Sequence, residues 1–423
     1  MNRFWRRLVA AGIAPSIVVL GLTGCGSSSK GSISTTTAAP SGTTAQSGTT
    51  AVSGAPTGAP LVVGLECSCS GPYASAFTTQ QPIINAWVAY ENAKGGVDGR
   101  PVKVDFMDDG TNPGTSLAQV TKLVQDDHAI AIMDASFVDS AWSTFVQQHG
   151  VPVIGNLLSS ALMYSNSDFF PEGQTIDTVS GAVAAGAKKE GVTSLGVVYC
   201  TADAVCASFG KAIQQAAVAA GLKGPFALKI PDAAPNYTAS CIAAKQGGAD
   251  GMFVAGASTQ WEAFVASCSA QSYTPKYIAE SGAVVNGMLN IPAFNGLLTI
   301  QNNLPAEDTS SPAIQTMIDA VNKYSPGTVS SPGWGPFSTS EWAAGLLFAD
   351  AAQAGHVGSN PTSAALLTGL YSLKGDTLGG LAPPLTFKQG QPTSVNCWFY
   401  LSIKNGQYTP LYGNGSFCGS SSS

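Results

Sequence analysis

The sequence predicts an α/β protein built as two doubly wound lobes. Short apolar runs alternate with amphipathic stretches along most of the chain, as buried parallel strands and their covering helices do. The alternation falls into two sets, the first from residue 61 to residue 154 and the second from residue 179 to residue 300, which implies two sheets. A polar, Gly-containing loop follows the first strand, at the carboxyl end where such folds hold ligands.

The first unit is the clearest. Residues 61–65 read as a buried strand, broken by Ser70, Gly71 and Pro72. Over residues 80–92, Ile83, Ile84, Trp87, Val88 and Tyr90 fall mostly on one helical face. Gly95-Gly96-Val97-Asp98-Gly99 ends that helix and turns the chain. Val102, Val104 and Phe106 alternate as the second strand. Asn112 and Pro113 introduce a helix over residues 115–125. The pair Asp108-Asp109 reads as a cap on this loop and helix rather than as an acid/base or cation site. A strand at 129–133, a helix marked by Trp142, Phe145 and Val146, and a strand at 151–154 complete the set.

In the second set, helices at 179–189, 204–220, 237–245 and 260–270 lead to strands at 195–199, 226–230, 251–254 and 276–279. A short helix at 284–289 precedes a strand at 297–300. The pattern then changes. Helices are expected at 312–323, 340–353 and 361–370, and strands at 384–387 and 397–403, the last turned by Asn405-Gly406.

The ends are of another kind. Arg3, Arg6 and Arg7, an apolar run over residues 8–22, and small residues before Cys25 make an export signal. Leu22-Thr23-Gly24-Cys25 resembles a bacterial lipobox, which implies that residues 1–24 are removed and that Cys25 carries a lipid. The apolar run is short for a bilayer span of about 20 residues. Residues 25–59 are mostly Ser, Thr, Gly, Ala and Pro with a single charge, Lys30, and read as a flexible tether. Charged residues make up 10% of the 423-residue chain, against about 25% in an average globular protein. A net charge of −6 gives no reason to expect nucleic acid as a partner.

Apart from Cys25, eight cysteines remain, an even number that suggests disulfides in an exported chain. Spacing favours Cys200–Cys206, Cys241–Cys268 and Cys397–Cys418. Cys67 and Cys69 are too close for a relaxed bridge, and their state stays open. The three histidines, 128, 149 and 356, lie far apart, and no Cys-x-x-Cys occurs, so no metal is expected. There is no Gly-x-Ser-x-Gly elbow and no P-loop. Ser208-Phe209-Gly210-Lys211 fits Ser-x-x-Lys by chance, inside an amphipathic helix. Neither catalysis nor a cofactor is expected.

Taken together, residues 61–65, Ser70-Gly71-Pro72, the helix ending in Gly95-Gly96-Val97-Asp98-Gly99-Arg100, and Asp108-Asp109-Gly110-Thr111-Asn112-Pro113 resemble the branched-chain amino acid binding proteins of ABC importers. These are type I periplasmic binding proteins with a leucine-binding-protein-like fold. The resemblance implies two Rossmann-like lobes joined by three hinge crossovers: residues 60–175 with 301–385, and 176–300 with 386–418, leaving a tail at 419–423. It also implies a small ligand held by hinge closure, with ABC permease subunits as partners. A sensor lipoprotein of the same fold is the alternative. By this likeness Ser136 and Ser159 supply hydroxyls, Leu157 a backbone carbonyl, and Glu280 a carboxylate for an ammonium group. Ala257 stands where relatives carry a Tyr. Tyr73 and Phe77 lie in the altered first loop, and Phe77, Phe137 and Leu157 would give an apolar wall. An amino acid, an amide or a small carboxylate would fit. The protein would be exported and anchored to the outer face of the cell membrane through Cys25.

Overall fold

The computed structural model describes residues 54–71, 74–200, 204–223, 227–231, 234–256, 258–284, 286–413 and 415–419. The signal, Cys25, most of the tether, Tyr73, Ala257 and the end of the tail lie outside the described residues, as does the Cys206 side chain.

Strands β1 (Leu61–Cys67), β2 (Val102–Asp108), β3 (Ala131–Ala135), β4 (Val153–Ile154) and β5 (Phe169–Phe170) form a parallel sheet in the order β2-β1-β3-β4-β5. Strands β6 (Leu195–Cys200), β7 (Ala227–Ile230), β8 (Gly251–Ala255), β9 (Lys276–Glu280) and β10 (Leu298–Gln301) form a second parallel set. A small hairpin pairs β11 (Lys374–Asp376) with β12 (Leu385–Thr386). The chain then returns to the second sheet as β13 (Cys397–Lys404), antiparallel to β10, with β14 (Gln407–Pro410) and β15 (Phe417–Cys418) beside it.

Helices α1 (Gln80–Ala93), α2 (Pro113–Gln125), α3 (Ser143–Gln148) and α4 (Leu162–Ser165) accompany the first sheet. The second set carries α5 (Ile176–Lys189), α6 (Ala204–Ala219), α7 (Thr238–Gln246) and α8 (Ser258–Ala270). The late helices α9 (Pro312–Tyr324), α10 (Pro336–Ala354) and α11 (Ser363–Ser372) share the first sheet's core. The chain therefore passes between two lobes three times: before α5, after β10 and before β13.

Packing explains why a segment near residue 340 belongs with one near residue 87. Trp87 of α1 meets Phe348 of α10 edge-on at 6.2 Å, and Tyr90 meets Trp342 at 5.5 Å. A Cβ on Gly345 would stand 2.5 Å from the Trp87 indole, so only glycine lets α10 lie against that ring. In the second lobe, the Tyr400 hydroxyl of β13 donates to the Ala182 carbonyl of α5 at 2.9 Å. That bond ties the returning strand to the lobe's first helix.

The structure settles the cysteine pair left open and corrects several bounds. Cys67 and Cys69 are bridged, with their Cα atoms 5.1 Å apart. Cys67 ends β1, and the turn that follows brings Cys69 back to it. Cys241–Cys268 and Cys397–Cys418 pair as the spacing suggests. The segment at 284–289 gives short 3-10 turns (Ser281–Ala283 and Asn286–Met288) rather than one α-helix. Helix α10 begins earlier than expected, because Pro336 at its first turn is compatible with a helix start. Asp108 and Asp109 cap their own loop, accepting from the amides of Gly110 (3.1 Å) and Thr111 (2.6 Å). The helix is capped instead by Asn112, which accepts from Gly114 and Thr115 at 2.9 and 3.0 Å.

Candidate functional site

The register sets where a ligand can be met. Cys67 lies opposite both Asp108 and Ala135. Strands β1, β2 and β3 thus end level, and the segments starting at Ser68, Asp109 and Ser136 leave the sheet side by side. Their backbones are tied together: Asp109 N donates to Cys67 O at 2.9 Å, and Ser68 N to Ala135 O at 3.0 Å.

Asp109 is the hub. It is buried, and it accepts from Ser68 Oγ at 2.8 Å and from Ser136 Oγ at 2.5 Å. Ser68 Oγ in turn accepts from Phe137 N at 3.0 Å, and Ser136 Oγ from Val138 N at 3.2 Å. Charge-assisted bonds of this kind are short and strong. They fix three loop starts as one rigid platform. Below them, Ser116 Oγ donates to Glu66 Oε1 at 2.7 Å. Burial pushes the Glu66 carboxyl up to about 8, with the charges of Asp109 and Asp108 adding to the effect and the Ser116 bond opposing it. Burial and the adjacent Asp139 also raise Asp134. The loop after β4 joins the platform through Leu157 N, which donates to Asp134 O at 2.9 Å. Ser160 Oγ donates to Asp139.

Above the platform stands an aromatic wall. Phe77 lies 5.6 Å from Phe137 and 6.4 Å from Phe337. Phe77 is buried, whereas Phe137 is 39% exposed, one of few large apolar side chains left so open among the described residues. Phe77 and Phe137 were expected in such a wall. Phe337 was not, because it arrives from the start of α10, far along the chain.

The serine expected to present its hydroxyl to a ligand does something else here. Ser136 is fully buried, and its proton goes to Asp109, so it braces the platform from within. Leu157 is likewise buried, while Ser159 is partly exposed. Glu280 ends β9 on the other sheet, paired in register with Ile300. Beside it, Ser281 Oγ donates to Asn302 Oδ1, and Asn302 Nδ2 donates to Gln174 O. Asn303 Nδ2 donates to Glu172 O at 2.8 Å. The first two crossovers between the lobes are therefore hydrogen-bonded to each other beside Ser281, which follows Glu280 at the end of β9. Sequence reading passed over Asp109 as the hub and missed Asn302 and Asn303. The acidic pair was visible as a signal for Asp109, whereas nothing local marks the two asparagines.

Among the described residues, no group of His, Cys, Asp and Glu is arranged to hold a metal ion, and no helix is long and apolar enough to cross a membrane.

The sequence model of a periplasmic binding protein family matches residues 60–407. Among curated proteins none matches the chain in sequence. Many solved structures share its fold, among them these three. A fatty acid ABC transporter substrate-binding protein from Thermomonospora curvata is 17% identical with a TM-score of 0.71, over 85% of this chain and 93% of that one. A solute-binding protein of an ABC transporter from R. palustris, in complex with benzoate, is 15% identical with a TM-score of 0.69, over 86% and 98%. A leucine-binding protein from Thermotoga maritima is 11% identical with a TM-score of 0.69, over 85% and 99%.

Proposed function

The chain belongs to the periplasmic binding protein family, and from that premise we propose that it is the solute-binding lipoprotein of an ABC importer, capturing a small carboxylate with an apolar body. The observation that carries the ligand class is the wall of Phe77, Phe137 and Phe337 standing over the strand-end loops. An exposed ring beside a rigid polar platform suits a ligand with one charged end and one flat or greasy end. The partly exposed Ser159 and backbone amides of the strand-end loops are the proposed partners of the carboxylate. Ser136 contributes by holding Asp109 and the loop in place. The neighbours that bind benzoate and fatty acid lend this reading support.

Binding would act by population shift. A ligand touching both lobes stabilises the closed arrangement, and the permease reads closure.

A thermal-shift series with benzoate, 4-hydroxybenzoate, octanoate and leucine tests the ligand class. An aromatic or aliphatic acid without an amino group should raise the melting temperature more than leucine does. Phe137→Ala should then weaken that acid's binding by about tenfold or more in calorimetry, as loss of a ring contact and its buried area would. A shift with leucine alone, unchanged by Phe137→Ala, would return the site to amino acids.

For the anchor, Cys25→Ser should release the protein into the medium, as expected when a lipid-bearing thiol is lost. Retention of the variant in the membrane fraction would remove the lipid from the account.

A further inference from the structure

A cavity of about 770 Å³ has none of the rings of the aromatic wall among its lining residues. None of the strand-end residues described above lines it. Its walls come from both lobes. Ile318 and Trp334 belong to the first lobe's core, and Leu289 and Tyr408 to the second's. The volume is that of a site for a drug-sized molecule, about 300–1,000 Å³.

The polar groups in it are unusual. Both carboxylate oxygens of Glu307 are buried without a hydrogen-bond partner in the protein. So is the Tyr408 hydroxyl, on a residue only 7% exposed. Asp308, also 7% exposed, accepts from Ser310 through Oδ1 (2.5 Å from Oγ) and has no partner at Oδ2. Among the described residues, no Lys, Arg or His lines it. Buried polar groups are normally paired, because an unpaired one costs about 1–3 kcal/mol. Burial pushes the Glu307 carboxyl up to about 8, as happens when no counter-charge stands nearby.

We propose that this cavity is a second binding site, distinct from the strand-end loops, and that it takes an organic ammonium ion with an apolar body. An ammonium group has only donors, and carboxylates have only acceptors. Glu307, Asp308 and the Tyr408 oxygen together supply the three acceptors it needs. Trp334 provides an aromatic face for the charge, and Ile318 and Leu289 receive the hydrocarbon part. An anion would meet two carboxylates and no cation. A divalent metal ion would want six or more oxygen ligands in a compact shell, which two carboxylates and a phenol do not form. A bound ammonium would contact both lobes at once and so would favour the arrangement that brings them together.

Calorimetric titration of the full chain at pH 8 tests the site, with 2-phenylethylammonium as probe and 2-phenylethanol as its uncharged counterpart. The ammonium should bind saturably and the alcohol at least tenfold more weakly. Glu307→Gln and Tyr408→Phe should each weaken the ammonium about tenfold, whereas Phe137→Ala should leave it unchanged. Tyr408→Phe keeps the ring in its packing and carries the test if Glu307→Gln does not fold. Absence of saturable binding would overturn the proposal, as would equal binding of the alcohol or unaltered affinity in both variants. Loss of binding in Phe137→Ala would place the amine at the strand-end loops and overturn it as well.

Discussion

Gly369→Ala should destabilise the folded protein by about 3 kcal/mol or more, the upper range for overpacking a core. Helices α10 and α11 meet through a pair of glycines. A Cβ on Gly369 would stand 1.8 Å from the Ala351 carbonyl oxygen and 2.7 Å from Gly355 N. A Cβ on Gly355 would stand 2.2 Å from the Ala365 carbonyl oxygen. The obstacles are backbone atoms, so no rotamer change can clear them, and the helices would have to part. Parting them opens the buried layer of Leu347, Ala351, Leu366 and Leu370. Gly181→Ala is the control. Gly181 is also within a helix, is exposed, and would place its Cβ in open space. There alanine should be neutral or stabilising by about 0.5–1 kcal/mol, its helix-propensity advantage. Urea midpoints of the two variants should therefore move in opposite senses, or one should fall while the other holds. A wild-type midpoint for Gly369→Ala would mean that α11 does not sit this close to α10.

The same contrast, between what one segment says about itself and what distant segments impose, separates the legible parts of the fold from the rest. The β1-α1-β2 unit could be read because each of its signals is local. Its turn needs left-handed backbone, and it has it: Gly95, Gly96, Asp98 and Gly99 all carry positive φ, and a Cβ on Gly96 would strike Arg100 O at 2.0 Å. The two-residue strand β5 was invisible, because Phe169-Phe170 is too short to show a period. The β11–β12 hairpin was missed in part for the same reason. At the site, Phe77 and Phe137 were legible as an apolar wall, but Phe337 joins them from the start of α10, which the sequence places far away. Ser136 shows the limit most clearly. Its position at the end of β3 was read correctly. The direction of its hydroxyl depends on Asp109, set beside it only by the pairing of β1 with both β2 and β3.

Glu172→Gln should stabilise the protein at pH 8, on the order of 3–5 kcal/mol, and have little effect near pH 4.5. Glu172 lies in the first crossover between the lobes, fully buried, with both carboxylate oxygens lacking a hydrogen-bond partner. The adjacent Ser340 hydroxyl gives its proton to Asn303 at 2.6 Å. Gly155 is pressed so close that a Cβ there would stand 2.2 Å from Glu172 Oε2. Burial accordingly pushes the carboxyl from 4.5 up to about 8. Below pH 4.5 the side chain is protonated in both folded and unfolded chains and contributes no pH dependence. Between pH 4.5 and 8 the unfolded chain ionises while the folded chain keeps its proton. Stability then falls with rising pH, by about 1.4 kcal/mol per unit for one such group, and levels off above pH 8. Glu66 tilts the wild-type curve the same way, so the useful quantity is the difference between wild type and Glu172→Gln. Urea titrations at half-unit steps from pH 4.5 to 8.5 should give curves that meet at the acid end and diverge toward pH 8. Parallel curves would show that the folded chain holds Glu172 ionised. This proton sits in a crossover between the lobes rather than in either sheet. The divergence therefore measures how much stability the folded chain gains by keeping Glu172 uncharged in the segment that joins the lobes.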